Sequence, residues 1–246
     1  MDRYGLIGYP LGHSFSRNFF NRKFNSEHIQ ATYDNFPLRS LEELRPLIEG
    51  IPLLKGFNVT IPYKQQIIPM LDQISDNAKA IGAVNVVRIE RNGQEISLHG
   101  YNTDAPAFAQ SLQPLLQPHH RSALILGTGG ASKAVEYALQ GLGIGSKCVS
   151  RTAKPGCLTY EQVTLELLNT HHIIVNCTPL GMYPQADNCP PIPYQAIGSR
   201  HLLYDLIYNP EQTLFLRNGE ERAAQVKNGL EMLHLQALAT WEIWKK

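Results

Sequence analysis

Near the middle of the chain, Gly127-Thr128-Gly129-Gly130-Ala131-Ser132 follows a continuous apolar run at residues 123–126. It opens a helical pattern in which Ala131, Ala134, Val135, Ala138, Leu139 and Leu142 recur at helix spacing. A Gly-x-Gly alone says little, but between a buried strand and a helix N-terminus it predicts a phosphate-binding turn. Gly127 permits the tight turn, Gly129 and Gly130 let the backbone approach a pyrophosphate, and the free N–H groups from Ala131 onward face the anion. Ser132, still small, takes the place of the usual third glycine. The end of the next strand selects the dinucleotide. Ser150-Arg151-Thr152 stands there, with Lys154 close behind and no carboxylate to hold a ribose 2′-hydroxyl. A guanidinium suits a 2′-phosphate, and such a charge-assisted pair is worth about 1.5–3 kcal/mol. The expected cofactor is NADP.

Two further residues could move a proton. Lys64 follows Asn58-Val59-Thr60-Ile61-Pro62-Tyr63 and is expected in the first turn of a helix. A cation there opposes the helix dipole, so helix stability does not account for it, whereas a lysine that exchanges a proton would. Asp104, in Gly100-Tyr101-Asn102-Thr103-Asp104, could equally cap the helix that follows. Cys148, Cys157, Cys177 and Cys189 lack metal-ligand spacing and read as free thiols in a reducing cytosol. The pairs His119-His120 and His171-His172 read as solvated loop ends, because adjacent side chains on an extended chain point opposite ways. No metal site is expected.

The elements that must position these groups alternate strand and helix. Strands are expected at residues 4–8, 32–36, 56–60, 83–88 and 96–101, the last two joined at Asn92-Gly93, a hairpin signal. Helices are expected from Ser16 to about residue 25 and over 41–48, where Pro46 argues against one. A second unit begins at Asp104 with a helix to about residue 116. Its strands follow at 123–126, 148–149, 173–176, 202–206 and 223–226, with Gly143 and Gly145 stopping the helix between the first two. From Leu230 the last helix is apolar on most sides, which predicts burial, and Gln236 within it then needs a partner. Such alternation predicts an α/β protein with a parallel, doubly wound sheet. A chain of 246 residues, 43 % hydrophobic, can hold two domains with real cores. The net charge of +1 comes without the basic stripe that nucleic-acid binding needs. No secretory signal or membrane span is legible, so the expected location is cytoplasmic and the expected partner a small molecule.

Taken in order, Gly12-His13-Ser14-Phe15-Ser16, the 58–64 segment, Gly82-Ala83-Val84-Asn85, Asn102-Thr103-Asp104, the glycine turn, Tyr204-Asp205-Leu206-Ile207-Tyr208-Asn209-Pro210 and Asn228-Gly229-Leu230 with Met232 and Gln236 form a series. This series closely resembles the shikimate dehydrogenase family over nearly the whole chain. The resemblance implies an N-terminal α/β substrate domain, residues 1–103, and a Rossmann-type dinucleotide domain, residues 104–228. Residues 229–246 would be a C-terminal helix packing back on the first. The implied activity is reversible, NADP-linked reduction of 3-dehydroshikimate to shikimate on the way to aromatic amino acids, in a cleft between the units. Lys64 and Asp104 would be the catalytic pair, Ser14 and Ser16 would bind the substrate carboxylate, and Thr60, Asn85, Tyr208 and Gln236 would hold the substrate. Gly127, Gly129, Gly130, Ala131, Ser150, Arg151, Thr152 and Lys154 would bind the cofactor. The expected state is a monomer or homodimer.

The chain departs from the family pattern at Ser150, where an Asn commonly stands, at Lys154, one place earlier than usual, and at Ala105, where a glycine often follows the aspartate. Two alternatives remain. One is a quinate-active relative, against which Ser14 and Ser16 speak. The other is a non-catalytic sensor, which would have no need of Lys64 and Asp104.

Overall fold

The computed structural model describes residues 1–12, 15–93 and 95–246, so His13, Ser14 and Gln94 lie outside the described residues. It divides into two units, residues 1–103 with 236–246, and residues 104–235.

The first unit holds strands β1 (Asp2–Gly8), β2 (Ala31–Pro37), β3 (Leu54–Val59), β4 (Gln73–Ile74), β5 (Val86–Asn92) and β6 (Glu95–Tyr101). They form one mixed sheet in the order β2-β1-β3-β5-β6-β4. β1 pairs in parallel with β2 and β3, and β5 runs antiparallel to both β3 and β6. Its helices are α1 (Phe15–Ser26), α2 (Leu44–Gly50), α3 (Tyr63–Gln66) and α4 (Asp76–Ile81). Pro46 is tolerated because it falls in the first turn of α2, where backbone N–H groups have no helical partner. Side chains alternate across the sheet. Ile7, Phe57, Val59 and Val87 thus meet α2 through Leu44 and Ile48 on one face. Tyr4, Tyr33 and Val86 meet Phe20 and Phe24 of α1 on the other.

The hairpin turn differs from expectation by one residue. Asn92 pairs with Glu95, so Asn92 closes β5 and Gly93, at φ 62°, opens the turn. The strand expected from residue 83 starts at Val86, because Ala83, Val84 and Asn85 make a connection whose backbone is bonded to Lys64 and Tyr101.

The second unit holds α5 (Asp104–Leu112), β7 (Ser122–Leu126), α6 (Gly130–Gly141), β8 (Gly145–Ser150), β9 (Cys157–Thr159), α7 (Leu165–Leu168), β10 (Ile173–Asn176), β11 (Leu202–Asp205), α8 (Leu214–Glu220) and β12 (Gln225–Lys227). All six strands are parallel, in the order β12-β11-β10-β7-β8-β9. This is the doubly wound order with its switch point between β7 and β10. Leu124, Leu126 and Leu203 pack with Leu168 of α7 and Phe215 of α8 on one face. On the other, the Tyr204 ring meets Phe108 of α5 at 4.9 Å and its hydroxyl lies 2.7 Å from Ser111. Gly145, expected to stop a helix, instead begins β8; Gly143, at φ 72°, makes the turn.

The last helix, α9 (Leu230–Trp244), crosses the division between the units. It is not buried all round. Met232, Gln236, Thr240 and Trp244 make a single buried stripe at i, i+4 spacing, while Leu238 is 47 % exposed. Trp244 stacks on Tyr4 and donates its indole N–H to the carbonyl of Val87 at 3.0 Å. Gly56 makes room for it: a Cβ at that position would sit in the Trp244 ring.

Candidate active site

In the first unit a chain of hydroxyls and amides, buried from Tyr33 onward, ties α1, β2, β3, the connection before β5, the segment after β6 and α9 together. Ser16, in the first turn of α1 rather than capping it, hydrogen-bonds the phenol of Tyr33. Burial pushes that phenol far above its ordinary range, so it stays a donor, to Asn58 Oδ1 at 2.9 Å. Asn58 Nδ2 donates to the carbonyl of Asn85 at 3.2 Å and to Thr240 Oγ1 at 3.3 Å. Thr240 donates back to the carbonyl of Gln236 at 2.8 Å. Asn85 is 3 % exposed, donates to Thr103 Oγ1 at 2.9 Å and accepts from the Thr103 N–H at 2.8 Å.

Lys64 is positioned by the same framework. Tyr63 anchors α3 by donating its phenol to the carbonyl of Leu38 at 2.7 Å, and the Lys64 carbonyl accepts the Val84 N–H at 2.7 Å. The lysine is half-buried, and α3 is only one turn long, which leaves little dipole for a cation to oppose. Thr60 is half-buried just before α3, with its carbonyl accepting the Tyr63 N–H. Gln236 is 8 % exposed. Asp104, 6 % exposed, is the first residue of α5 and belongs to the second unit.

In the second unit the glycine turn lies at the carboxyl end of β7, beside the switch point. Gly127 has φ 115°, and a Cβ there would come within 3.3 Å of the Cys177 backbone. Gly129 is the N-cap of α6, makes no side-chain cap, and has open space before it. Ser132, one turn in, is buried with an unpartnered hydroxyl. A helix start stripped of capping side chains, with a clear approach and a spare buried hydroxyl, fits a pyrophosphate. Ser150 is buried and accepts the Thr152 N–H; Arg151, Thr152 and Lys154 are exposed. Lys154 Nζ reaches Thr128 Oγ1 at 2.9 Å, joining the basic loop to the glycine turn. These residues fit a 2′-phosphorylated dinucleotide.

Similarity to known proteins extends over both units. Residues 6–87 match the model of the shikimate dehydrogenase substrate binding domain. Shikimate dehydrogenase (NADP(+)) of Clostridium beijerinckii is 41 % identical over 100 % of this chain and 93 % of its own. The crystal structure of shikimate dehydrogenase from Aquifex aeolicus aligns with a TM-score of 0.86 at 36 % identity, covering 99 % of this chain and 92 % of that one. The Thermus thermophilus enzyme, solved in complex with NADP(H) and shikimate, also reaches 0.86, at 30 % identity over 99 % and 93 %. The chain belongs to the shikimate dehydrogenase family.

Several groups that organise this family member's site escaped sequence reasoning. Asp205 closes β11 fully buried, and accepts from Thr213 Oγ1 at 2.6 Å, Asn176 Nδ2 at 3.0 Å and the Ile207 N–H at 3.0 Å. Burial pushes its carboxyl up to about 6, with the three donors pulling the other way. Asn176 in turn accepts from the N–H and hydroxyl of Thr178. The network sets the turns that leave β10 and β11, including the one carrying Tyr208, whose half-buried phenol is raised by burial. Asn58, Asn176 and Asp205 share a legible signal: each is a polar residue inside or closing an apolar strand. Thr103 and Thr240 carry no such mark.

The histidine pairs correct another expectation. His120, His171 and His172 are buried, not solvated. The segments entering β7, β10 and β11 converge, so that the rings of His119 and His172 lie 5.3 Å apart and those of His172 and His201 5.4 Å. A cavity of about 370 Å3 in the first unit, lined among others by Leu44, Met70, Asp72 and Leu98, contains none of the candidate residues.

Proposed function

We infer that this family member catalyses the reversible NADPH-dependent reduction of 3-dehydroshikimate to shikimate, an oxidoreductase step of aromatic amino-acid biosynthesis. The observation that carries this reading is similarity to NADP-linked relatives over 98–100 % of the chain. Bound at the second unit, NADPH supplies the hydride. Lys64 and Asp104 are the proton-transfer pair, with Lys64 giving the C3 oxygen its proton on reduction and taking it back on oxidation. Ser14 and Ser16 hold the substrate carboxylate, while Thr60, Asn85, Tyr208 and Gln236 hold the ring hydroxyls and fix the reacting carbon. The fixing of the buried Asn85 side chain on Thr103 and the pinned backbone of Lys64 support these roles.

Residues 1–103 then form the substrate domain, residues 104–228 the cofactor domain, and residues 229–246 the helix that returns to the first. Gly127, Gly129, Gly130 and Ala131 cradle the pyrophosphate. Ser150, Arg151, Thr152 and Lys154 hold the ribose phosphate, with Arg151 and Lys154 making NADP the preferred dinucleotide. No described helix is long and apolar enough to cross a membrane. We place the enzyme in the cytoplasm, as a monomer or homodimer, working on small molecules.

The test is absorbance at 340 nm with shikimate and quinate, each with NADP and NAD. Fastest turnover with shikimate and NADP is expected. Preference for quinate or NAD would revise the substrate or cofactor, and ligand binding without turnover would leave a sensor.

A further inference from the structure

β8 and β9 are parallel neighbours, and their register sets Cys148 directly beside Cys157. Side chains at paired positions of adjacent strands project to the same face. Strand axes lie about 4.8 Å apart, within the Cα separation of about 4.4–6.8 Å that a disulfide spans. Both residues are free, half-buried thiols, and the Cys157 side chain is within hydrogen-bond reach of Cys148. Cys148 also donates its S–H to the Gly127 carbonyl at 2.9 Å, which couples the pair to the glycine turn. Between the two cysteines lie residues 149–156, the segment containing Ser150, Arg151, Thr152 and Lys154. The pair therefore stands at the two ends of the loop assigned above to the 2′-phosphate.

We propose that Cys148 and Cys157 are a thiol–disulfide modification site through which low-molecular-weight disulfides weaken NADP(H) binding. The gating arm rests on the cofactor assignment above; bond formation does not. Entry at either half-buried thiol leads to the same disulfide, and the route through Cys157 shows the balance. The Cys157 thiolate attacks one sulfur of RSSR, forming Cys157–S–S–R and releasing RS⁻, which takes up the proton Cys157 gave up. Cys148 then loses its proton and attacks the Cys157 sulfur, expelling the second RS⁻ as RSH. Two protein S–H groups and one RSSR become one protein disulfide and two RSH. The protein sulfurs lose two electrons and the small disulfide gains them. The new bond removes the S–H from the Gly127 carbonyl and closes the 149–156 loop into a ring. Lys154 and Arg151 are thereby displaced from the phosphate they hold.

The experiment treats the full chain with oxidised glutathione, maps linked peptides by mass, and measures the NADPH and shikimate Michaelis constants before and after. Expected are the loss of two of the four free thiols and a linked 148–157 peptide. The NADPH KM should rise about tenfold, the size of one lost charge-assisted contact. The shikimate KM should stay unchanged, dithiothreitol should reverse the effect, and Cys157→Ser should abolish it with basal activity retained. Four remaining thiols, a stable glutathione adduct, or a link to Cys177 or Cys189 would overturn the site. A linked peptide with unchanged NADPH KM would overturn the gating. Absence of NADP-linked turnover in the reduced protein would count against the cofactor assignment, while the peptide mass still decides the disulfide.

Discussion

Lys64 is held by its backbone: the Tyr63 phenol and the Val84 N–H fix α3, leaving the side chain half-buried. Replacing it with Ala removes the proposed proton donor without touching either bond. We expect turnover to fall about 100- to 10,000-fold with an unchanged circular dichroism spectrum; near-normal turnover would remove Lys64 from the mechanism. Arg151 is exposed, and its guanidinium serves no core. Arg151→Ala should raise the NADPH Michaelis constant about tenfold or more and leave that of NADH little changed. Equal effects on both would exclude 2′-phosphate recognition. Arg151 stood out in the sequence by its place at the end of the strand after the glycine turn, and Lys64 by the motif that carries it, since the short α3 leaves little dipole to mark it. Asn85 was legible only as part of a motif, since its structural bonds to Thr103 join positions far apart in the chain.

At the scale of elements, the buried stripe of α9 depends on a glycine in another strand. Trp244 fills the space over Gly56 and donates to Val87. Gly56→Ala should destabilise the protein by about 1–3 kcal/mol, the usual cost of overpacking. The measurement is urea unfolding followed by tryptophan emission, and an unchanged midpoint would show that the helix end yields. The apolar runs of β7, β10 and β11 were readable because strands buried on both faces need no polar alternation. Short elements such as β4 and β9 were not readable in this way. Their stability comes from neighbours, as in the pairing of β9 with β8, so local composition holds too little periodicity to mark them.

For the molecule as a whole, the convergence of parallel strands in the second unit has a cost in acid. His119 and His120 enter β7, Lys147 lies on β8, His171 and His172 enter β10, and Arg200 and His201 enter β11. Burial, with the neighbouring cationic groups adding, lowers His120, His171 and His172 below their ordinary 6.5. The unfolded chain therefore binds more protons, and the stability these neutral rings confer is complete above 6.5 and lost as pH falls below it. Asp205 acts oppositely, its contribution falling as pH rises through about 6. Comparison with a variant cancels that background. The thermal midpoint should drop between about pH 7.5 and 5.5, and His172→Gln should shrink the drop; parallel curves would refute the cluster's role. By itself the sequence determined the α/β class and marked the glycine turn and the basic loop as candidates, because each depends on residues close together in the chain; the pairing of Lys64 with Asp104 came from the family resemblance. Only tertiary structure decided the hydrogen-bonded chain from Ser16 through Asn58 to Thr240, the histidine cluster and the Cys148–Cys157 pairing. Those depend on strand order and register, which bring distant residues together and leave no local trace.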